Sequence, residues 1–199
     1  GSLRDTFNKL SQMMNRNAPE GVWPEDMMRA KLDFVEAYGL PIEVKYQNRF
    51  PRSGSVTSTS GESAARVMTA ALAAAGLDTG RVGWVNAHGT GTPANDVVES
   101  NAMKQVFGER VQQVPLVSTK PITGHCLGAA GAIETVATLV CLNSGIIPQT
   151  LHFRGVDPDC DLDYCHDGTR QTSCSCALSN SFAFGGNVTS LVLGSTAWC

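Results

Sequence analysis

The chain has no run of lysine and arginine anywhere in its 199 residues, and only 7% of them are aromatic. Tracking a nucleic acid backbone needs a cationic stripe and stacking on bases needs aromatic platforms, so nucleic acid is excluded as a partner. A formal net charge of −3 points the same way. A membrane span is missing too: the longest apolar stretch, residues 127–142, is interrupted by Glu134 and falls short of the ~20 residues a bilayer requires. Its Ala and Gly content suits close helix packing better than lipid. The seven cysteines contain no C-x-x-C pair. Cys160, Cys165, Cys174 and Cys176, with His166 nearby, are dense enough to raise zinc, but paired knuckles are absent. Cys174 and Cys176 alternate as residues on one face of a strand would. All seven read as free, mostly buried thiols of a reducing cytoplasm, and no metal or cofactor is expected. No secretory leader and no internal repeat is visible. Gly1-Ser2, in place of an initiating Met, reads as a scar left by expression, which leaves room for lost targeting information.

What is present is a chain that is 42% hydrophobic and long enough for one domain with a real core. Residues 1–24 read as an N-terminal arm: a short amphipathic helix over 3–14, then a linker holding Pro19, Gly21 and Pro24. The domain proper is expected over 25–199. It starts with a helix over 25–38 stopped by Gly39, a strand over 42–50 and a Ser/Thr/Gly loop over 51–61. From Glu62 the pattern turns regular. Ala64, Val67, Met68, Ala71 and Leu72 mark a helix ending at Gly76. A strand over 82–87 leads through His88 to a helix over 95–107, stopped at Gly108. A strand over 115–119 leads through His125 to a helix reaching about residue 143. That helix is apolar nearly all round, so it should be buried on both sides. Two strand-like runs, 176–181 and 188–193, read as a hairpin whose Gly185-Gly186 pair is free to take positive φ. The fold class is α/β.

Two strand–loop–helix units therefore each end beside an imidazole, His88 in one and His125 in the other. In open α/β sheets ligands gather outside the carboxyl ends of the strands, so both rings are expected to face one crevice. A strand-end histidine taken alone is more often a satisfied polar cap. Lys120 alone would be a surface charge. Glu134 has Ala, Gly, Ile and Val around it, which predicts burial with a partner. Asp96 and Glu99 are expected to cap and charge the first turn of their helix.

Four segments carry a resemblance. His88-Gly89-Thr90-Gly91-Thr92-Pro93, Ser118-Thr119-Lys120, the stretch from Gly124-His125-Cys126-Leu127 to Glu134, and Asn180-Ser181-Phe182-Ala183-Phe184-Gly185-Gly186 follow one another as in the β-ketoacyl-acyl-carrier-protein synthases. The chain resembles the C-terminal half of such a ketosynthase. The likeness is good from about Ser55 to Gly194, loose over 27–50 and absent over 1–24. It implies a thiolase-like fold: a mixed five-stranded sheet with helices on both faces.

The implied reaction is decarboxylative Claisen condensation, in the pathways of fatty acids or polyketides. An acyl group sits as a thioester on a Cys, malonyl on acyl carrier protein loses CO₂, and the enolate attacks the acyl carbonyl. A fixed N–H donor at the thioester oxygen lowers the decarboxylation barrier by a few kcal/mol. A neutral imidazole supplies one, provided its other nitrogen is held. By resemblance His88 and His125 are those donors, Lys120 orients them and helps keep the second neutral, and Glu134 supports the network. The Phe184 amide would serve a second oxyanion hole, with Gly185 and Gly186 beside it and the Phe184 ring as a gate; Phe182 and Phe184 read equally as core residues. Thr90 and Thr92 belong to the first motif as supporting residues. His152 and His166 are expected to play no part, and Cys126 reads as a spectator thiol.

Two departures from the family pattern matter. The Cys in an Ala/Ser/Gly-rich turn before a helix is absent from the sequence, and the Gly pair is followed by Asn187-Val188 rather than Thr-Asn. The implied partners are acyl carrier protein with its acyl and malonyl thioesters and a first half bearing the nucleophilic Cys. The chain alone is expected to be inactive. A half-fold with an apolar helix is also expected to self-associate or to bind a partner chain, as a homodimer or heteromer. Two other readings stay open: a non-catalytic scaffold or chain-length subunit, and a module that binds acyl chains without reaction.

Overall fold

The computed structural model describes residues 60–183 and 187–195. The expected helices over 3–14 and 25–38, the strand over 42–50, nearly all of the 51–61 loop and Phe184, Gly185 and Gly186 lie outside them.

The described chain runs α1 (Glu62–Ala75), β1 (Trp84–Asn86), α2 (Pro93–Phe107), β2 (Leu116–Val117), a four-residue α3 (Lys120–Thr123), α4 (Ala130–Asn143), β3 (Ile146–Ile147), β4 (Arg170–Gln171), β5 (Cys176–Ala183) and β6 (Asn187–Gly194). Each stop has a local cause. Gly76 takes a left-handed conformation after α1, its amide donating to Ala73 while that of Leu77 donates to Leu72, which satisfies the last carbonyls. Pro93 opens α2, where its missing N–H costs nothing, and Gly108 closes it at φ 52°.

Four strands form the main sheet in the order β2-β1-β5-β6. β1 pairs in parallel with both β2 and β5, whereas β5 and β6 form the expected antiparallel hairpin. The described sheet thus has four strands where five are expected. β3 and β4 make a separate antiparallel ribbon.

Period-two alternation divides the core between the two faces. Val85, Leu178 and Val192 pack with Met68, Leu72 and Met103 of α1 and α2. Trp84, Ala177, Leu191 and Leu193 point the other way and pack with Leu139 and Leu142 of α4. Helices therefore cover both faces, which is why these strands are buried on both sides along most of their length. As its sequence predicts, α4 is buried around most of its circumference, with Val140, 48% exposed, and the terminal Asn143 as exceptions. Among the described residues no helix is long and apolar enough to cross a membrane. The cysteines need one correction. Cys176 opens β5 in the α1/α2 layer, but Cys174 precedes the strand and packs against the α4 layer, so the two do not share a face.

Candidate active site

Because β1, β2 and β5 run parallel, their carboxyl ends share one edge of the sheet. His88 lies two residues beyond β1, Ser118 follows β2 directly, and Phe182 is near the end of β5. The short α3 and its Gly124 turn (φ 71°) fold the chain back so that His125 returns to the same edge. His88 and His125 meet edge to face, with ring centroids 5.4 Å apart and planes 84° from parallel. The Phe182 ring packs 5.5 Å from His88 on another side. The structure thus brings the two predicted imidazoles together.

Hydrogen bonds fix which nitrogen of each ring carries the proton. The Leu127 amide donates to His125 Nδ1 at 3.2 Å, which leaves the proton on Nε2. Leu127 itself has a left-handed backbone (φ 47°) and is 72% exposed. Lys120 Nζ lies 3.4 Å from His88 Nδ1. An ammonium only donates, so His88 Nδ1 accepts and its Nε2 also carries a proton. Partial burial, and behind it the charge of Lys120, hold the His125 pKa below the usual histidine range. His125 therefore stays neutral at physiological pH and presents an N–H.

Lys120 and Glu134 form a buried ion pair beneath the rings, which gives Glu134 the partner its apolar surroundings predict. Asn86, the last residue of β1, is fully buried and donates to Glu134 O at 3.2 Å and to Thr138 Oγ1 at 2.9 Å, docking the strand on α4.

Glu99 corrects the sequence reading. Asp96 does sit in the first turn of α2, but Glu99 lies a turn further on and is 1% exposed. Its carboxylate accepts from the His88 amide (2.9 Å), the Gly89 amide (3.0 Å) and Asn180 Nδ2 (3.1 Å). Burial pushes its pKa up against those hydrogen bonds and the pull of Lys120. The signal was in the spacing: Glu99 shares the α2 face of Ala102, Met103 and Phe107, which is core-facing.

A cavity of about 570 Å³ opens on this edge, lined among others by Thr90, Thr92, Lys120, His125, Arg154 and Tyr164. The Thr90 and Thr92 hydroxyls hydrogen-bond at 2.9 Å. The Tyr164 hydroxyl reaches Ser100 Oγ at 2.7 Å and burial raises its pKa. Cys126 is half-buried, its thiol donating to the Thr123 carbonyl. His152 lines the cavity with a left-handed backbone (φ 57°), whereas His166 stacks on Phe153 at 4.3 Å, away from the rings. Phe184, Gly185 and Gly186 fall outside the described residues.

The chain is similar to known proteins over most of its length. The family model for the β-ketoacyl synthase C-terminal domain matches residues 44–154. Nodulation protein E of a Rhizobium species is 35% identical over 194 residues, covering 89% of this chain and 48% of that protein. The 3-oxoacyl-[acyl-carrier-protein] synthase 2 of a Synechocystis species is 46% identical over 130 residues, covering 65% of this chain and 31% of that enzyme. A solved complex of a type II polyketide acyl-carrier protein with its ketosynthase, bound to the hexaketide, superposes with a TM-score of 0.72 at 31% identity, covering 82% of this chain and 41% of that one. The chain thus spans about half the length of the first of these curated relatives, and less of the second.

Proposed function

The chain belongs to the β-ketoacyl synthase family as a C-terminal half, and from that premise we propose that it supplies the two oxyanion donors for decarboxylative Claisen condensation of an acyl thioester with malonyl-acyl carrier protein. One observation carries this reading: His88 and His125 stand 5.4 Å apart, each with Nδ1 placed to accept a hydrogen bond and so with its proton on Nε2.

In the proposed step the C–C bond to the malonyl carboxylate breaks and CO₂ leaves. The electron pair moves through the α-carbon onto the thioester oxygen, where the two Nε2–H groups hold it. Two neutral donors suit that charge because they are fixed before it develops and yield no proton to the carbanion. The carbanion then attacks the acyl carbonyl carbon, the C–S bond breaks, and the thiolate leaves from a Cys of a first half. The partial coverage of both relatives supports such a half, and the solved carrier-protein complex supports acyl carrier protein as the partner. Lys120 holds His88 in register, partial burial and then the Lys120 charge keep His125 neutral, and Glu134 fixes Lys120. Thr90 and Thr92 offer hydroxyls along the cavity to the amides of an extended thioester arm. Phe184, Gly185 and Gly186 keep the second oxyanion hole and the gate that the resemblance implies.

A scaffold or chain-length role has no physical need for two fixed donors in one crevice. Assembly of the chain with a Cys-bearing first half tests the choice. CO₂ release from malonyl-acyl carrier protein should fall about 100- to 1,000-fold in H88A and in H125A, while acyl loading of the Cys persists. The chain alone should release none. Wild-type decarboxylation in the double variant would overturn the proposal.

A further inference from the structure

We propose that Ser118 is a positioning residue that ties the His88 loop to the Lys120–His125 turn and so sets the separation of the two imidazoles. This rests on the reading of those rings as paired donors. The Ser118 hydroxyl donates to the Gly89 carbonyl at 2.8 Å and accepts from the Lys120 amide at 3.3 Å. One short side chain thus bridges the main chain next to His88 and the main chain at the start of α3. Its own amide donates to Thr150 Oγ1 at 3.1 Å, which anchors the bridge to a third segment.

Two other links between the loops are softer. Lys120 reaches His88 over 3.4 Å through four methylenes, and the rings touch only edge to face. Ser118 has one rotatable bond between its backbone and its hydroxyl, so little slack remains in the tie. Gly89 is gripped on both sides, its N–H by Glu99 and its C=O by Ser118. Gly89 is also shaped to the contact: at φ 47°, a Cβ there would lie 2.6 Å from Ser118 Oγ and 2.7 Å from its Cβ. His88 precedes this clamped residue directly, so the clamp fixes the main chain from which its ring projects.

The test uses imidazole nitrogen NMR and the ring-to-ring nuclear Overhauser effect on the chain itself, with turnover measured in the assembled enzyme. S118A should weaken the His88–His125 Overhauser effect and average the His88 nitrogen shifts, and kcat should drop by up to about 100-fold with KM little changed. S118T, which keeps the hydroxyl, should restore all three. Should S118A not fold, S118C, of similar size but a weak donor, carries the same expectation. T135V removes another buried hydroxyl bond, from Thr135 Oγ1 to Gly131 O at 2.7 Å, and should leave these readouts untouched. Wild-type ring contact and kcat in S118A, or the same losses in T135V, would overturn the role of Ser118. Wild-type rings that are not both Nε2–H would instead sink the donor reading, whatever the variants do.

Discussion

Lys120 and Glu134 pair as ammonium and carboxylate with side chains only 5% and 1% exposed, and the same ammonium lies 3.4 Å from His88 Nδ1. Burying two charges costs several kcal/mol of desolvation that their attraction repays only with good geometry, so such a pair is a poor stabiliser. It does fix a positive charge behind the imidazoles that does not depend on solvent or salt.

That view makes a prediction about single and double variants. K120M leaves Glu134 buried without its cation and should destabilise the chain by about 3–5 kcal/mol. K120M/E134L removes both charges and should recover most of the loss. Thermal melts followed by circular dichroism decide it; a double variant no more stable than K120M would mean that the pair holds the fold together in its own right.

His125 gives a pH prediction with a definite sign. Its folded pKa lies below the unfolded one, so the unfolded chain takes up the proton first as pH falls. The contribution to stability is therefore complete above about 6.5, the ordinary value, and is lost as pH falls through the depressed folded pKa. An NMR titration should place the His125 midpoint below that of a free histidine. K120M should move it upward, because the second cause of the shift is the Lys120 charge. A midpoint unmoved by K120M would leave burial as the whole cause.

Much of this was legible in the residues, for reasons particular residues show. Helix α1 announced itself by apolar spacing and Gly76, and the hairpin by its Gly pair. His88 and His125 could be placed on one edge because parallel strands share their carboxyl ends. Glu134 was readable as buried because its neighbours are apolar. Glu99 was not, because a carboxylate near a helix start has a common surface use, and only the folded chain reveals that it faces two main-chain amides. Ser118 was hidden for a related reason: its partners, Gly89, Lys120 and Thr150, are set by the meeting of three segments, which no local pattern encodes. Cys174 and Cys176 misled because alternation implies a shared face only once a strand has begun.

Glu99 and Asp96 should behave differently although they share a helix. E99Q keeps the size but turns one acceptor into a donor facing the His88 or Gly89 amide, leaving a buried N–H without a partner. The expected loss is about 1–3 kcal/mol. D96N alters a half-buried first-turn charge and should cost no more than about 1 kcal/mol. Urea unfolding of the two variants separates them, and equal losses would mean that the Glu99 contacts contribute nothing beyond helix charge.

Leu127 is the last test, because there backbone strain and function can be prised apart. A left-handed backbone costs a residue with a Cβ about 1–2 kcal/mol, and the exposed Leu127 side chain buries little in return. L127G keeps the amide and relieves the strain, but it adds freedom to the unfolded chain worth about 0.4–1 kcal/mol. The net effect should be a chain as stable as wild type or slightly more so, with His125 still protonated on Nε2. L127P removes the amide and fixes φ near −65°, so His125 Nδ1 loses its donor and the turn must rearrange. Its imidazole nitrogen shifts should average toward a mixture of tautomers. If L127P kept a pure Nε2–H tautomer, the Leu127 amide would not be what orients His125.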